Sequence, residues 1–575
     1  MDLLAAAMSL AGAFWLTSGL WADPNHRAVR VNASDQALFE WFLAYAAHAV
    51  THLHDPLWTD LINVPDGANL AVNTSVTVLG VVLAPVTLLL GPPVAFLVAL
   101  TANLGLSAYA WYWLFSRKLV ASPAAALVGG LFCGYAPGVV SHANGHLNFT
   151  AQFLVPLIVA RVLALRDPTR MLRNGLWLGA LVTAQYSLGP ETLFFTAVAC
   201  GVLLGIWLLA GHREPRANVL AAVRGLGIGV TVALVGLAYP LWLLFFGRGT
   251  YHGTGFDQRI HSEDLAAYPS FPHLSLAGLA GLDGGLAPNP TEENSFFGWP
   301  LLIVLAVAVP LLLRGADQAR RALVWALAGT AGVFALFSLG PVVKFRRELT
   351  DIPLPYSWIS GLPLFDSALP ARLALVVTPI LGALLALALD RRGRGRRLLT
   401  AAVAVALLPL VPLPVPVTDR TPVPHFISAG TWREYVQPGH TLLPVPPPLD
   451  TLPDGQRWQA TALSTSDGSA FRIPGGFFLG PGGPDGRGQI GPVPRPTYAL
   501  LRDVALSGRV PPITDLDRTV VREDLRYWGA EIVVLPASGG TGNKWSANHD
   551  ALLATLTALL GPGTRVDDVW LWRVT

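Results

Sequence analysis

Long apolar runs alternate with short polar intervals through the first 416 residues of the chain. Many runs approach the ~20 residues that an α-helix needs to cross the hydrocarbon core of a bilayer. The pattern therefore predicts a polytopic α-helical membrane protein. We expect about eleven crossings, at residues 3–21, 93–115, 120–138, 149–165, 175–190, 192–210, 225–247, 299–313, 322–340, 373–390 and 398–416.

The orientation of these helices follows from the positions of Lys and Arg, because short cytoplasmic loops carry an excess of both. Basic clusters separate the apolar runs at 117–118, 166–173, 213–224, 314–321 and 391–397. If all of them are cytoplasmic, the N-terminus is cytoplasmic and the tail from residue 417 is extracytoplasmic. The outer loops are then 22–75, 141–148, 248–298 and 341–372.

The apolar run 76–91 does not fit this alternation, because counting it as a full crossing would reverse the side of its neighbours. Pro85, Gly91 and Pro92 interrupt it or end it. Such residues break helices, and non-helical backbone at membrane depth is tolerated where protein buries it. The run is therefore predicted to be a broken or re-entrant helix.

Residues 417–575 differ from the rest of the chain, since they are rich in Pro and Gly and have few long apolar runs. Strand-like runs at Thr441 to Val445, Glu531 to Leu535 and Val569 to Val574 flank a helical stretch at 549–560. We predict a separate, soluble α/β domain outside the membrane. Its expected role is to cover a membrane-surface cavity or to hold an acceptor.

Composition supports the membrane class and excludes others. With 52% hydrophobic and 13% charged residues, the chain is too apolar for a soluble multidomain protein. A net charge of +3 gives no electrostatic reason to expect nucleic acid. Cys133 and Cys200 both lie in apolar runs, so neither a disulfide framework nor a cysteine metal site is expected. The bias to Arg, Ala, Gly and Pro is typical of a high-GC bacterial genome. For a multi-pass protein of that source we expect the cytoplasmic (inner) membrane.

Candidate chemistry begins in the 22–75 loop, which concentrates acids and histidines. Ser34 can cap a helix from Asp35 to about Val50, with an aromatic face suited to the membrane surface. Asp35 is then either a simple helix-start acid or a general base that deprotonates an incoming hydroxyl. Asp55 and Asn69 lie in turn-forming sequences with Pro and Gly, where turn formation is the first interpretation.

The later outer segments supply candidate phosphate ligands. His142 and His146 are four residues apart in the short 141–148 turn, and the absence of a matching third ligand favours phosphate or hydroxyl binding over metal. An acid near membrane depth is a functional candidate by default, which applies to Glu191. Arg259 and Arg372 are either phosphate ligands or lipid-headgroup anchors. The donor-phosphate candidates are Arg372, Arg259, His142, His146 and Asn148.

The order of parts resembles the GT-C superfamily of membrane glycosyltransferases: a first helix, an acidic outer loop, many spans and an outer C-terminal domain. Local motifs also resemble a group of bacterial membrane proteins described as glycosyltransferases. These motifs are Ser34-Asp35-Gln36, 63–70, Asn73-Thr74, 145–148 and 475–481. The resemblance implies a polyprenyl-phosphate sugar donor and Asp35 as the base. Many GT-C enzymes have a paired acid here, whereas Gln36 follows Asp35, so Glu40 and Asp55 stay alternatives for the base.

The leading hypothesis is an inverting transfer, without metal or other cofactor, from a polyprenyl-phosphate sugar to an envelope glycan or glycolipid hydroxyl at the outer face of the bilayer. Gln36, Asn69 and Glu191 are the candidate substrate-binding residues. A transporter or flippase for a lipid-linked saccharide is the second hypothesis, but it should leave ionisable residues in the middle of several helices. A non-catalytic scaffold that binds envelope polymer is the third.

Overall fold

The computed structural model describes residues 1–211, 215–253, 255–393, 395–465, 470–483, 485–540 and 543–574. Arg213 and Arg394, two of the predicted cytoplasmic markers, lie outside the described residues. The chain divides into two compact units. The helical unit comprises Met1–Gly19, Leu100–Ala238 and Phe256–Val415, and the mixed unit comprises Leu20–Ala99, Tyr239–Gly255 and Pro416–Thr575.

Within the described residues, seven helices are long and apolar enough to cross a membrane: Asp2–Trp21, Pro92–Lys118, Pro123–His142, Pro190–Leu209, Arg216–Gly236, Gln318–Ser338 and Pro370–Asp390. The shorter helices Val155–Ala164 and Trp299–Leu313 are also apolar. The prediction of a helical membrane protein is confirmed. The count of about eleven crossings and the orientation stay predictions.

The remaining elements of the helical unit include the separate helices that make up the Pro123–His142 and Pro370–Asp390 spans. The α-helices are Pro123–Tyr135, Pro137–His142, Leu147–Thr150, Met171–Leu188, Leu276–Leu279, Val377–Asp390 and Arg396–Leu407. The 3-10 helices are Pro355–Trp358, Pro370–Val376 and Leu408–Leu410, and the strands Val342–Phe345 and Glu348–Pro353 pair as an antiparallel hairpin.

Small residues let the central helices of this unit approach each other. Ser122 caps the Pro123–Tyr135 helix, its hydroxyl accepting the Ala125 N–H at 3.3 Å. A Cβ on Gly129 would lie 2.6 Å from the Gly382 carbonyl oxygen, and one on Gly130 would lie 2.5 Å from the Tyr112 nitrogen. Close backbone approach at small residues is how membrane helices gain packing energy. The Pro123–Tyr135 helix therefore packs closely against the Val377–Asp390 helix at Gly382.

The mixed unit is built around a four-stranded sheet. Thr441–Pro444 runs parallel to Ala530–Pro536, which pairs antiparallel with Val569–Arg573, and Thr564–Val566 forms the other edge. The remaining strands are Arg27–Val29, Trp58–Thr59, Ala68–Asn69, Val417–Asp419, Leu479–Gly482 and Arg487–Ile490. The α-helices are Ala33–His52, Thr77–Val82, Ala84–Leu90, Ala238–Phe246, His425–Ser428, Asp454–Leu463, Pro496–Ser507, Asp515–Tyr527 and His549–Leu560, with 3-10 turns at Leu70–Val72, Thr431–Glu434 and Ser546–Asn548.

The tail has the strands and the helix that the sequence predicts, and its contribution to the mixed unit begins at Pro416. It does not form this unit alone, because Leu20–Ala99 belongs to the same unit. Arg27–Val29 pairs with Val417–Asp419. The 22–75 segment and the tail therefore belong to one compact unit, rather than to a loop and a separate domain.

The 76–91 run is broken as the sequence predicts. Thr77–Val82 and Ala84–Leu90 form two short helices that meet at Leu83, and Pro85 lies in the first turn of the second helix. Gly91 ends the second helix with a positive φ of 87°. Neither piece alone approaches the ~20 residues of a membrane span.

The helix that carries Asp35 runs from Ala33 to His52 and is buried along most of its length. The prediction of a surface helix is therefore wrong. Trp41 stacks on Tyr45 at 5.2 Å and donates to Gln459 Oε1 at 2.7 Å. On another face, Gly80 approaches Ala46 so closely that a Cβ on Gly80 would overlap it. The aromatic side chains and the alanines thus pack on two different faces of this helix, which accounts for its burial.

Candidate functional site

A buried cluster of charges lies in the helical unit, where Arg372 bridges two glutamates. Its Nε and Nη2 donate to Glu292 Oε1 at 2.9 and 2.8 Å, and its Nη1 donates to Glu191 Oε2 at 2.9 Å. The guanidinium also lies 4.6 Å from the centre of the Phe149 ring. Only 2% of the Glu292 side chain is exposed, against 19% for Arg372 and 23% for Glu191.

Local structure fixes each member of this group. Glu191 lies in the first turn of the Pro190–Leu209 helix, where the helix dipole favours a carboxylate. Arg372 lies in the 3-10 turn Pro370–Val376 that leads into an apolar helix. Glu292 belongs to the fully buried polar loop 291–295. Asn294 of the same loop donates to Glu292 Oε2 at 3.0 Å and to the Ala371 carbonyl at 3.3 Å.

Two histidines complete the cluster. His142 ends the Pro137–His142 helix, and His146 immediately precedes Leu147–Thr150. Their Nδ1 atoms lie 2.7 Å apart, which requires one hydrogen between them. The other ring nitrogen of His142 lies 3.7 Å from Glu292 Oε2. The turn therefore contributes two imidazoles to the same buried site as the glutamates.

The electrostatics of Glu292 depend on its neighbours. Burial alone would raise the pKa of this carboxyl, but the positive charge of Arg372 and the nearby histidines hold the pKa at about 2. Within the described residues, His142 Nε2, Glu191 Oε1 and Asn294 Oδ1 are buried without a hydrogen-bond partner. The side-chain amide of Gln185, one turn before the Glu191 helix, is also buried without a partner. Buried unpaired polar atoms require an explanation, and a ligand would supply the missing partners.

The same group could hold a metal ion. His142, His146 and Glu292 each offer one ligand atom, and these atoms all lie within 4.8 Å of one another. Two imidazoles and a carboxylate are a donor set that suits a divalent transition metal. The sequence-based expectation of no metal rested on the absence of a third ligand. Glu292 is a third ligand that the sequence analysis did not identify.

A second buried acid, Glu263, lies outside this cluster in the same unit. It is fully buried and accepts a hydrogen bond from the Ser295 hydroxyl at 2.7 Å. Burial raises the pKa of Glu263 to about 8, although Ser295 and Lys344 act in the opposite direction. Burial therefore favours the protonated form of this carboxyl at neutral pH.

Glu263 should make the stability of the protein depend on pH. A group whose folded pKa lies above its unfolded value stabilises the fold at low pH and loses that contribution as pH rises, here between about 4.5 and 8. Glu263→Gln, which keeps the shape but cannot ionise, should be more stable than wild type at pH 8, by up to about 1.4 kcal/mol for each unit of pKa shift relieved. Melting temperatures at pH 5 and pH 8 measure this. Glu348→Gln, at an exposed acid, is the control, and an identical pH dependence in all three proteins would contradict the assignment.

The other predicted phosphate ligands of this unit differ in position. Arg259 is exposed in a turn where its backbone N–H donates to Asp257 at 2.8 Å. Asn148 is half-buried in the short helix directly after His146. The structure therefore brings together Arg372, His142, His146 and Glu191, but leaves Arg259 at the surface.

Asp35, in the mixed unit, lies in the first turn of its helix as predicted, but the cap is different. Asn32, not Ser34, is the N-cap residue, and its side-chain oxygen accepts the Asp35 backbone N–H at 3.3 Å. The Asn32 amide donates to the Asp35 carboxylate at 2.8 Å. Asn is as good a cap as Ser, and the helix begins at Ala33, two residues earlier than predicted. The Asp35 carboxylate is half-buried, which is suitable for a base that solvent also reaches.

Glu40 and Gln36 have structural partners. Arg420 donates through Nη1 to both oxygens of Glu40, at 2.8 and 2.9 Å, and both side chains are buried. Gln36 donates to Glu40 at 2.8 Å and accepts the Val29 N–H at 2.8 Å. This geometry argues against Glu40 as the base, because its lone pairs already accept a charged donor. Gln36 bridges the Arg27–Val29 strand to the helix.

Removing the charge of Glu40 should destabilise the protein without a specific effect on catalysis. Glu40→Gln leaves the Arg420 guanidinium buried and unpaired, and breaking a buried ion pair costs about 3–5 kcal/mol. We expect a clearly lower melting temperature, with activity per folded molecule unchanged. Glu434→Gln, at an exposed acid of the same unit, should melt as wild type does. Wild-type stability of Glu40→Gln would refute a structural role.

The side chains of Asp55 and Asn69 also form hydrogen bonds to backbone groups. Asp55 accepts the Leu57 N–H at 2.9 Å and the Tyr239 hydroxyl. The Asn69 amide donates to the carbonyls of Leu243 and Arg248, at 2.9 and 3.1 Å, while its oxygen accepts the Ala71 N–H. Both side chains therefore hold backbone groups in place, as the turn interpretation expects for Asp55. A substrate-binding role for Asn69 would require these bonds to break.

Sequence comparison assigns a family to most of the helical unit. The family model described as "Domain of unknown function (DUF6311)" matches residues 6–410. The chain belongs to the DUF6311 family. No curated protein sequence matches the chain.

Solved structures show the fold of this DUF6311 protein. It is similar to the arabinofuranosyltransferase AftD from Mycobacteria, with a TM-score of 0.55 and 16% identity over 100% of this chain and 40% of AftD. The oligosaccharyltransferase from Archaeoglobus fulgidus in the apo form gives 0.48 and 12% over 96% of this chain and 71% of the enzyme. The same organism's AglB, with an inhibitory peptide and a dolichol-phosphate, gives 0.46 and 12% over 100% and 74%. The predicted GT-C fold is confirmed, and the chain spans less than half the length of AftD.

Proposed function

We propose that this DUF6311 protein is a membrane glycosyltransferase that moves a sugar from a polyprenyl-phosphate donor to a hydroxyl of an envelope acceptor. The reaction would take place at the outer face of a bacterial cytoplasmic membrane. The buried cluster of Arg372, two glutamates and two histidines, within a fold shared with a glycosyltransferase, is the observation that supports this most directly. Fold alone does not establish an activity, so the proposal depends on the chemistry of the cluster.

The charges of the cluster specify how a phosphate could bind there. With neutral imidazoles, two carboxylates and one guanidinium carry a formal charge of −1, and Arg372 already donates to both acids. Arg372 alone would therefore not attract an anionic donor. Either a proton on the His142–His146 pair or a divalent cation held by His142, His146 and Glu292 would supply the missing positive charge. Positive charge at this position stabilises a departing lipid phosphate.

The proposed transfer is a displacement at the anomeric carbon. An acceptor hydroxyl loses its proton to Asp35, its oxygen forms the new glycosidic bond, and the bond from the sugar to the phosphate oxygen breaks with inversion. The leaving group is the polyprenyl phosphate. Because AftD is an arabinofuranosyltransferase, a pentofuranosyl donor is one of the substrates to test.

The test uses the purified full chain with polyprenyl-phosphate arabinofuranose and with polyprenyl-phosphate hexoses. Release of free polyprenyl phosphate and transfer of labelled sugar to envelope glycan are measured together, with EDTA or added Mn²⁺ in parallel. Release of polyprenyl phosphate together with sugar transfer supports the glycosyltransferase proposal. Loss of this activity in EDTA indicates that a divalent cation is required. Movement of intact donor across proteoliposomes without phosphate release would instead identify a transporter. Donor binding without either outcome would identify a scaffold.

A further inference from the structure

Four arginines follow the end of the spanning helix Pro370–Asp390, in the segment 391–397 of the helical unit. They are Arg391, Arg392, Arg396 and Arg397, and all except the half-buried Arg391 are exposed. Among the residues that the structure describes, no acid, hydrogen-bond acceptor or aromatic ring pairs with any of these four side chains. We call these residues the arginine patch. Their positive charge is not neutralised by their own loop.

The acid next to the arginine patch has other partners. The Asp390 carboxylate accepts the backbone N–H groups of Ala121 and Ser122, at 3.3 and 2.8 Å. These bonds hold the patch beside the loop that follows a second spanning helix, Pro92–Lys118. Lys118 is exposed at the end of that helix and, in the described parts of the chain, also has no acidic partner. Unpaired cations therefore lie where two spanning helices end.

Two members of the arginine patch lie at the unfavourable end of a helix. Arg396 and Arg397 are the first residues of the Arg396–Leu407 helix, and its N-cap residue, Gly395, has no side chain to accept the first N–H groups. The positive end of the helix dipole disfavours cations and favours an anion. The position of the two arginines therefore costs stability unless an anion binds beside them.

Other basic clusters of the helical unit include an acid of their own. In the cluster 314–321, Asp317 is the N-cap residue of the Gln318–Ser338 helix and accepts the Arg320 N–H at 2.8 Å. In the cluster 166–173, Arg170 lies 3.9 Å from Asp167. The segment 391–397 contains only Arg and Gly. The arginine patch therefore lacks the internal anion that these two clusters have.

We propose that the arginine patch binds the phosphate groups of an anionic phospholipid. The end of a spanning helix lies at the depth of the lipid headgroups, and guanidinium groups bind phosphate oxygens in pairs. Arg392, Arg396 and Arg397 line a concavity of about 580 Å³. Leu398, which lines the same concavity, is 76% exposed and offers an apolar contact to the lipid beside its phosphate. This proposal does not depend on glycosyl transfer.

The experiment titrates the purified full chain, in a neutral detergent, with phosphatidylglycerol, cardiolipin or phosphatidylcholine, and measures bound lipid by native mass spectrometry. A basic residue near an anionic lipid surface contributes about fivefold to binding, so Arg396→Gln/Arg397→Gln should weaken binding of both anionic lipids roughly 25-fold. Arg396→Lys/Arg397→Lys keeps the charge and should keep most of the affinity. Arg314→Gln/Arg321→Gln removes two exposed arginines from another basic cluster and should bind lipid as wild type does.

Equal affinity for anionic lipid in wild type and Arg396→Gln/Arg397→Gln would overturn the proposal. An equal loss in the control variant would also overturn it, because total charge alone would then explain binding. Displacement of the lipid by inorganic phosphate at constant ionic strength would assign the patch to a free anion instead. Both substituted side chains are exposed, so the melting temperature without added lipid should match that of wild type. A second variant, Arg391→Gln/Arg392→Gln, should show the same loss of lipid binding.

Discussion

Replacing Asp35 by Asn is expected to reduce sugar transfer by roughly 10²–10⁴-fold, the usual contribution of a general base, while the protein still folds. The side chain keeps its size, and the Asn32 cap contacts the Asp35 backbone N–H, which the substitution does not change. Release of polyprenyl phosphate from the active donor, measured beside the melting temperature, tests both parts of this expectation.

Asp66→Asn is the matched control, because Asp66 is an exposed acid of the same 22–75 segment. It should transfer sugar at the wild-type rate. Full activity of a correctly inserted Asp35→Asn protein would remove Asp35 from the mechanism. Glu40 would not replace it as the base, since both of its oxygens accept hydrogen bonds from Arg420.

Replacing Arg372 by Met should have the largest effect on stability. The substitution leaves Glu191 and Glu292 buried close to each other without their shared cation, and breaking a buried ion pair costs about 3–5 kcal/mol for a single partner. We expect a melting temperature far below that of wild type and no detectable transfer. Arg259→Met, at an exposed arginine of the same unit, should fold and act as wild type does.

A triple variant separates the two functions of Arg372. Adding Glu191→Gln and Glu292→Gln to Arg372→Met removes all the buried charges together, which is often neutral for stability. We expect this variant to recover much of the melting temperature but not the transfer of sugar. Recovery of both would show that the cluster only stabilises the fold. Loss of stability in the triple variant equal to that in Arg372→Met would contradict the ion-pair explanation.

Much of the fold could be predicted because local signals determine it. Apolar length locates the membrane helices, and Pro85 and Gly91 mark the interrupted run, which is observed as Thr77–Val82 and Ala84–Leu90. The tail strands follow from their β-branched runs. That the 22–75 segment and the tail share a unit could not be predicted, since the pairing of Arg27–Val29 with Val417–Asp419 has no local signature.

The site could be predicted only in part, because its residues carry local signals but their contacts with each other do not. Arg372, Glu191 and the two histidines are identifiable one by one, but their mutual contacts span 181 residues between Arg372 and Glu191. Glu292 was missed, although two adjacent acids before the apolar start of the Trp299–Leu313 helix are a usable signal. The sequence leaves Glu40 as an alternative for the base, because it does not reveal that Arg420, 380 residues away, is the partner of Glu40.

The bond between Glu40 and Arg420 also has a consequence for biosynthesis. At the usual 5–20 residues per second, Arg420 leaves the ribosome roughly 20–80 s after Glu40, from which it is separated by 380 positions. During this delay the acid and its aromatic helix have been translated without their final partners. The mixed unit can therefore complete its folding only after nearly the whole chain has been made. Until then, water, lipid or a chaperone must contact the newly made Asp35 helix in place of its final partners.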